Sequence, residues 1–193
     1  MAVVTERLVY GSYSSIAGTY DDLFSDAMST AESARVCAMA PIAGQILDIG
    51  CGTGLLLDHV DVNPQLYTGV DASPEMLERL HVKHPRFITR TVCAKFETFM
   101  ARDRWRTRRY DSVISLFGSV NYISPKSLLM IPSVLTSGGK LLLMFYASGY
   151  VPVTYSRSGV TIKHFKTDLD LLSNLGMVKP SGDYIFVTRG FHE

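Results

Sequence analysis

Ile46-Leu47-Asp48-Ile49-Gly50-Cys51-Gly52-Thr53-Gly54 decides how this chain is read. A short run of buried-strand type meets three alternating glycines, and Leu55 to Val60 then carries a helical pattern. Strand, glycine turn and helix open a parallel α/β unit. In such a sheet, ligands sit at the carboxyl ends of the strands. Glycines at that point let the backbone approach a ligand closely, because no Cβ intervenes.

The pattern continues outward. Leu66 to Val70 reads as a second strand. Ser73 reads as an N-cap, with Pro74 at the first helical position and Met76, Leu77 and Leu80 on one face. Arg86 to Val92 is expected as a third strand and Asp111 to Leu116 as a fourth. Ser124-Pro125 is expected to open a helix running to about Leu135. Ser137-Gly138-Gly139 then turns into a fifth strand, Lys140 to Tyr146. Strands spaced by helical patterns predict an α/β fold, a mostly parallel sheet flanked by helices.

The tail reads differently. Residues 153–165 contain Ser156-Arg157-Ser158-Gly159, a turn cluster that predicts a hairpin. Thr167 is expected to cap a short helix that Gly176 ends. Pro180-Ser181-Gly182-Asp183 then turns into Tyr184 to Thr188. Two antiparallel strands closing the edge of the sheet suit this end. The expected organisation is a single domain over 1–193. It divides into an N-terminal helical cover (1–44), a cofactor-binding core (45–146), a short lid or hairpin (147–166), and a C-terminal helix with edge strands (167–193).

Bulk properties narrow the classes. The chain has 193 residues, 47% hydrophobic, with a net charge of +1. Near-neutrality argues against a field that gathers DNA or an anionic membrane. The N-terminus is too interrupted for a signal peptide, and no run approaches the roughly 20 apolar residues of a span. Cys37, Cys51 and Cys93 lack metal-ligand spacing and read as reduced thiols. A cytoplasmic monomer or homodimer is expected, without a metal, DNA or membrane partner.

The second strand ends in Gly69-Val70-Asp71, about 20 residues beyond the loop. An acid there accepts the two ribose hydroxyls of an adenosine. A dinucleotide loop needs Gly-x-Gly-x-x-Gly, but Leu55 stands where the third glycine is due, and no Gly-Lys-Ser/Thr of a P-loop is present. No Lys or Arg lies between Gln45 and Glu78, so nothing there offsets a pyrophosphate. Asp48 suits instead a ligand carrying an ammonium and a sulfonium.

At this point the chain resembles the class I S-adenosylmethionine-dependent methyltransferases of small-molecule type. Residues 47–54 look like the family's first motif and Gly69-Val70-Asp71-Ala72-Ser73-Pro74-Glu75-Met76-Leu77 like its second. Tyr110-Asp111-Ser112-Val113-Ile114-Ser115-Leu116-Phe117 is similar to the fourth-strand motif. Ser137-Gly138-Gly139-Lys140-Leu141 is similar to the turn before the fifth strand. Ser15-Ile16-Ala17-Gly18-Thr19-Tyr20-Asp21 looks like the segment that covers the cofactor. The likeness spans roughly residues 13–190.

The resemblance implies a Rossmann-like sheet of seven strands and S-adenosylmethionine as cofactor, with S-adenosylhomocysteine as product. By position it places Gly50, Cys51, Gly52 and Gly54 at the methionine end and ribose, and Asp48 near the amino group. Asp71 takes the ribose hydroxyls, and Ala72 and Met76 flank the adenine. Leu116, Phe117 and Gly118 lie beside the sulfonium. Tyr20 closes from above, and Tyr13 is expected among the cofactor-binding residues. Relatives often hold the adenine amino group with an Asp after the third strand. This chain has Cys93-Ala94-Lys95 there, and a thiol accepts weakly. Backbone groups and packing, with Phe96, are expected to hold adenine instead.

Methyl transfer from a sulfonium is an in-line displacement in which alignment supplies much of the catalysis. A base is needed only where the attacking atom must lose a proton early. The catalytic candidates are Tyr20, Asn121, Tyr122 and His164. Tyr122 offers a ring to a cation, and His164 a base. The Asn/Asp-Pro-Pro-Tyr of amino-methylating DNA enzymes is missing after the fourth strand. The leading expectation is transfer to N or O of a small molecule. The alternatives are a peptide, protein or RNA acceptor, or a protein that cleaves, cyclises or senses S-adenosylmethionine.

Two features have plainer readings. Residues 102–109 hold five arginines and the single Trp, a basic aromatic run that reads as a solvated loop before the fourth strand, with partner binding left open. His81 and His84 fall near a helix end, where histidine is favourable without a metal.

Overall fold

A computed structural model describes residues 13–102, 107–148, 150 and 168–190. One seven-stranded sheet runs through them: β1 (Ile46–Ile49), β2 (Tyr67–Asp71), β3 (Thr91–Cys93), β4 (Tyr110–Ser115), β5 (Leu135–Tyr146), β6 (Met177–Ser181) and β7 (Tyr184–Arg189). The strand order is β3-β2-β1-β4-β5-β7-β6. The first five strands pair in parallel, and β7 runs antiparallel to both β5 and β6. This is the Rossmann-like arrangement with an antiparallel C-terminal edge that the sequence predicts. The order reverses between β1 and β4, so the ends of β1, β2 and β4 border one crevice.

Apolar side chains cover both faces. One layer gathers Leu47, Ile49, Val113, Leu141, Leu143 and Val187 against Phe96 and Phe99 of α4 (Phe96–Ala101). The other sets Ile46, Ile114, Leu142 and Met144 against Val36, Leu56, Leu77 and Leu80. Those last four belong to α1 (Ala27–Ala38), α2 (Leu55–His59) and α3 (Pro74–Lys83). Strands covered on both faces read as continuous apolar runs, as residues 141–146 of β5 do.

Local chemistry sets the helix starts. Asp26 caps α1 by accepting from the Met28 and Ser29 N–H groups. Ser73 caps α3 through Met76 N–H, with Pro74 behind it. Before α1, residues 13–16 make one helical turn and Asp21–Phe24 a 3₁₀ turn, the described part of the expected N-terminal cover.

Several expected boundaries are corrected. Arg86 to Val92 is not a strand: Pro85–Arg90 is a 3₁₀ helix, and only Thr91–Cys93 pairs with β2. Pro85 presets the turn, and Phe87 packs edge-on against Tyr67 with ring centroids 5.1 Å apart. The helix opened by Ser124 stops early as α5 (Pro125–Leu128), because Pro132 cannot donate a backbone bond. Ile131–Val134 is a separate 3₁₀ turn. Strand β5 begins at Leu135 rather than Lys140. A register shift lies between Tyr110↔Leu135 and Ser112↔Lys140, so the expected glycine turn is an irregularity inside the strand. The cap of α6 (Leu169–Ser173) is Asp168, which accepts from the Asp170 and Leu171 N–H groups. The hairpin expected over 153–165 and the cap expected at Thr167 lie outside the described residues, as does His164. No helix among the described residues is long and apolar enough to cross a membrane.

Candidate active site

The glycine turn after β1 is locked to both neighbouring strands. Gly50 and Cys51 N–H both donate to the Val70 carbonyl, at 2.7 and 3.2 Å. Ser115 Oγ donates to the Ile49 carbonyl at 2.7 Å. Gly50 and Gly52 have φ of +72° and +51°. A Cβ on Gly50 would strike Ser119, whereas one on Gly52 would meet only the Gly50 carbonyl at 4.0 Å. Gly52 therefore keeps clear the space above the loop. Gly54 serves differently. Its φ is +94° and its missing Cβ makes room for Leu80 and His84 of the α3 region, so it seats a helix rather than facing a ligand.

The acid ending β2 joins the loop directly. Asp71 Oδ2 accepts Gly52 N–H at 2.9 Å, and Oδ1 accepts Ser73 N–H at 2.9 Å. Burial pushes its carboxyl up, against the backbone donors Ser73, Gly52 and Ala72 that pull it down. Asp48 is more deeply placed, at 4% exposure. Burial raises its pKa to about 7 even though the Tyr67 hydroxyl donates to it at 2.8 Å.

These groups open on one cavity of about 540 Å³, within the usual range for small-ligand sites. Of the sequence candidates, Tyr13, Tyr20, Asp48, Gly50, Cys51, Gly52, Asp71, Ala72, Met76, Ala94, Leu116, Phe117 and Tyr122 line it. Gly54, Cys93, Gly118 and Asn121 do not. Cys93 faces solvent at the sheet edge, while Ala94 N–H returns to the Asp71 carbonyl at 2.8 Å. Phe96, expected beside adenine, lines the wall with Lys95 and Glu97. Asn121 is a clamp: its Oδ1 accepts Tyr146 N–H at 2.8 Å and its Nδ2 donates back to the Tyr146 carbonyl. Gly118 has φ of +78°, and a Cβ there would sit 2.3 Å from the Tyr146 ring. Phe117 has φ of +49°, unusual for a non-glycine residue, and strain of this kind collects at functional sites.

Aromatic rings roof the cavity. Tyr13 contacts Tyr20 and Tyr122 with centroids 6.1 and 5.9 Å away, and its hydroxyl lies 3.1 Å from that of Tyr122. A polar strap holds this cover down. Thr53 Oγ1 donates to Asp21 at 2.5 Å, and Lys83 Nζ bridges Asp21 at 2.9 Å and Asp58 at 2.6 Å. His84 lies 2.8 Å from Asp58, and His81 lies 2.7 Å from Thr91 Oγ1.

Sequence reasoning missed one wall. Tyr146, Tyr150 and Tyr184 line the cavity with Glu32. The Tyr184 hydroxyl donates to Glu32 Oε2 at 3.2 Å. The available signal was a tyrosine at the end of β5 and another at the start of β7, which pair as Tyr146↔Tyr184. In sum, six carboxylates line the cavity (Asp21, Glu32, Asp48, Asp58, Asp71, Glu97) against two lysines, Lys83 and Lys95. Such a wall favours a cationic guest over a phosphate.

Residues 46–139 match the family described as a methyltransferase domain. Residues 46–139, just under half of the chain, are thus similar to a methyltransferase domain, and they lie in a Rossmann-like seven-stranded fold. No curated protein matches the sequence. Among solved structures, the complex of DhpI with SAH is 18% identical and covers 95% of each chain with a TM-score of 0.63. The DhpI-SAM-HEP complex is 17% identical over 96% of each chain, also at 0.63. The mitomycin 7-O-methyltransferase MmcR is 18% identical, covering 93% of this chain and 60% of its own, at 0.55. DesVI of Streptomyces venezuelae is 22% identical, covering 62% of this chain, at 0.47; this chain spans 51% of DesVI. For the DhpI and MmcR structures the likeness is one of fold.

Proposed function

We propose that this protein moves a methyl group from S-adenosylmethionine to N or O of a small molecule. The observation that carries the reading is the Gly50–Gly52 turn bonded to Asp71 at the mouth of a carboxylate-lined cavity. Loop, acid and absent cations fit an adenosyl sulfonium. Gly52 leaves room for the ribose, and Asp71 retains lone pairs for its hydroxyls. Asp48 would face the amino group. Met76 and Phe96 would pack on the adenine, whose polar edge has backbone near Ala94 and Lys95.

When bound, S-adenosylmethionine supplies an activated methyl: the acceptor's lone pair forms the new bond to carbon, and the pair of the broken C–S bond stays on sulfur. The chain's own contribution is alignment. Phe117 and Tyr122, beyond β4, and Tyr20 from the cover would border the transfer point. Their rings attract a sulfonium and exclude water. No base is required of this set. The enclosing roof, and the fold likeness to the mitomycin methyltransferase, support a small acceptor.

The test is to incubate the pure protein with S-adenosylmethionine, first alone and then with acceptor pools, following products by mass spectrometry. Transfer predicts S-adenosylhomocysteine and a mass gain of one methylene on an acceptor. Methylthioadenosine formed without acceptor would overturn the reading in favour of cleavage.

A further inference from the structure

The missed wall has a chemistry of its own. Tyr146, Tyr150 and Tyr184 form a triangle with ring centroids 5.5, 5.7 and 5.8 Å apart. It stands next to the strained Phe117, whose ring meets Tyr184 edge-on at 6.4 Å. The triangle therefore begins where the proposed transfer point ends. Glu32, from α1, accepts the Tyr184 hydroxyl. Among the described residues no basic side chain forms an ion pair with Glu32, whereas two of the other lining carboxylates, Asp21 and Asp58, are bridged by Lys83. Burial and the nearby Glu32 charge push the Tyr184 phenol far up, and burial with the Asp183 and Glu32 charges raises that of Tyr150. The wall thus offers neutral aromatic rings and one carboxylate.

Aromatic rings and a carboxylate lining one cavity suit a cation carrying apolar groups. From this geometry we infer that Glu32 with Tyr146, Tyr150 and Tyr184 forms an acceptor subsite for an aliphatic amine bound as its ammonium, making nitrogen the methylated atom. The inference rests on the methyltransferase reading and names its substrate class. The ammonium charge faces Glu32 and the alkyl substituents lie against the rings. Before attack, the nitrogen releases one proton past the Glu32 carboxylate to solvent, which frees the lone pair. After transfer the nitrogen is again an ammonium, so one proton is released per turnover.

Calorimetry on the protein saturated with S-adenosylhomocysteine separates the layers. The probes are choline and its neutral isostere 3,3-dimethylbutan-1-ol, which share shape but not charge. The inference expects choline to bind at least about tenfold tighter. Glu32→Gln is expected to cut that ratio to roughly threefold or less with S-adenosylhomocysteine affinity unchanged, which also certifies its fold. Tyr150→Leu is expected to weaken choline more than the isostere. Equal binding of the two probes by the wild-type protein, or a ratio untouched by both variants, overturns the subsite and leaves the methyltransferase reading intact. Failure of S-adenosylhomocysteine itself to bind overturns both.

Discussion

Asp48 concentrates the electrostatic cost of the site. It is a buried carboxyl with a hydroxyl donor at 2.8 Å and a second acid, Asp71, nearby. Its pKa is about 7 in the folded protein against 3.8 as an ordinary carboxyl. The folded state thus keeps a proton there that the unfolded chain releases between those values. Stability from this group falls as pH rises through that window and is lowest above it. Asp48→Asn is therefore expected to raise the Tm of the unliganded protein at pH 8, by on the order of 1–3 kcal/mol or several degrees. The same variant should bind S-adenosylhomocysteine more weakly. In the wild-type protein that affinity should drop by up to about tenfold from pH 8 to pH 6, as the carboxylate facing the amino group is protonated. A calorimetric pH series on both proteins checks the pair, and a flat wild-type profile would remove Asp48 from the site. Asp71→Ala, which deletes charge-assisted bonds, is expected to weaken binding by about 1–3 kcal/mol. Unaltered affinity would contradict the ribose contact.

At the scale of elements, the ends of β4 and β5 work as one piece. Gly118, between Phe117 and the 3₁₀ turn Ser119–Tyr122, lies directly under the Tyr146 ring, and Asn121 clamps the Tyr146 backbone. Gly118→Ala combines a positive φ with a 2.3 Å clash. It should destabilise by on the order of 1–3 kcal/mol and loosen the aromatic wall, which thermal melts and choline titration would report. The Lys83 bridge joins the cover to α2 and α3 at partly exposed positions, and pairs of that kind are worth little to global stability. Lys83→Met is accordingly expected to leave Tm within about 2 °C while speeding hydrogen exchange over residues 20–25. Unchanged exchange would show that the strap does not hold the cover. The elements nearest the loop were readable because strand, glycine and capping signals agreed there: β1, β2 and α3 fall within a residue or two of expectation. Proline misled the reading at Pro85 and Pro132, where an apolar run counted as strand or helix became a 3₁₀ turn. The start of β5 was misplaced because a glycine pair inside a bulge looks like a turn.

On the scale of the whole molecule, what was legible is what lies close in sequence. The loop and Asp71 are 19 residues apart across one β-α-β unit, and their pairing follows from parallel topology. Glu32 and Tyr184 are 152 residues apart. They meet only because β7 enters antiparallel beside β5 and α1 brings Glu32 to its first residue, and no local pattern announces that. Charge distribution is likewise a property of the assembled fold. A nearly neutral chain folds its acids toward one cavity, six carboxylates against two lysines. That arrangement makes the central claim directly testable by titrating the purified protein calorimetrically with S-adenosylhomocysteine and, separately, with a nicotinamide dinucleotide. The account predicts one S-adenosylhomocysteine bound per chain and no measurable uptake of the dinucleotide, whose pyrophosphate would face uncompensated carboxylates. Tight dinucleotide binding with no heat from S-adenosylhomocysteine would contradict it.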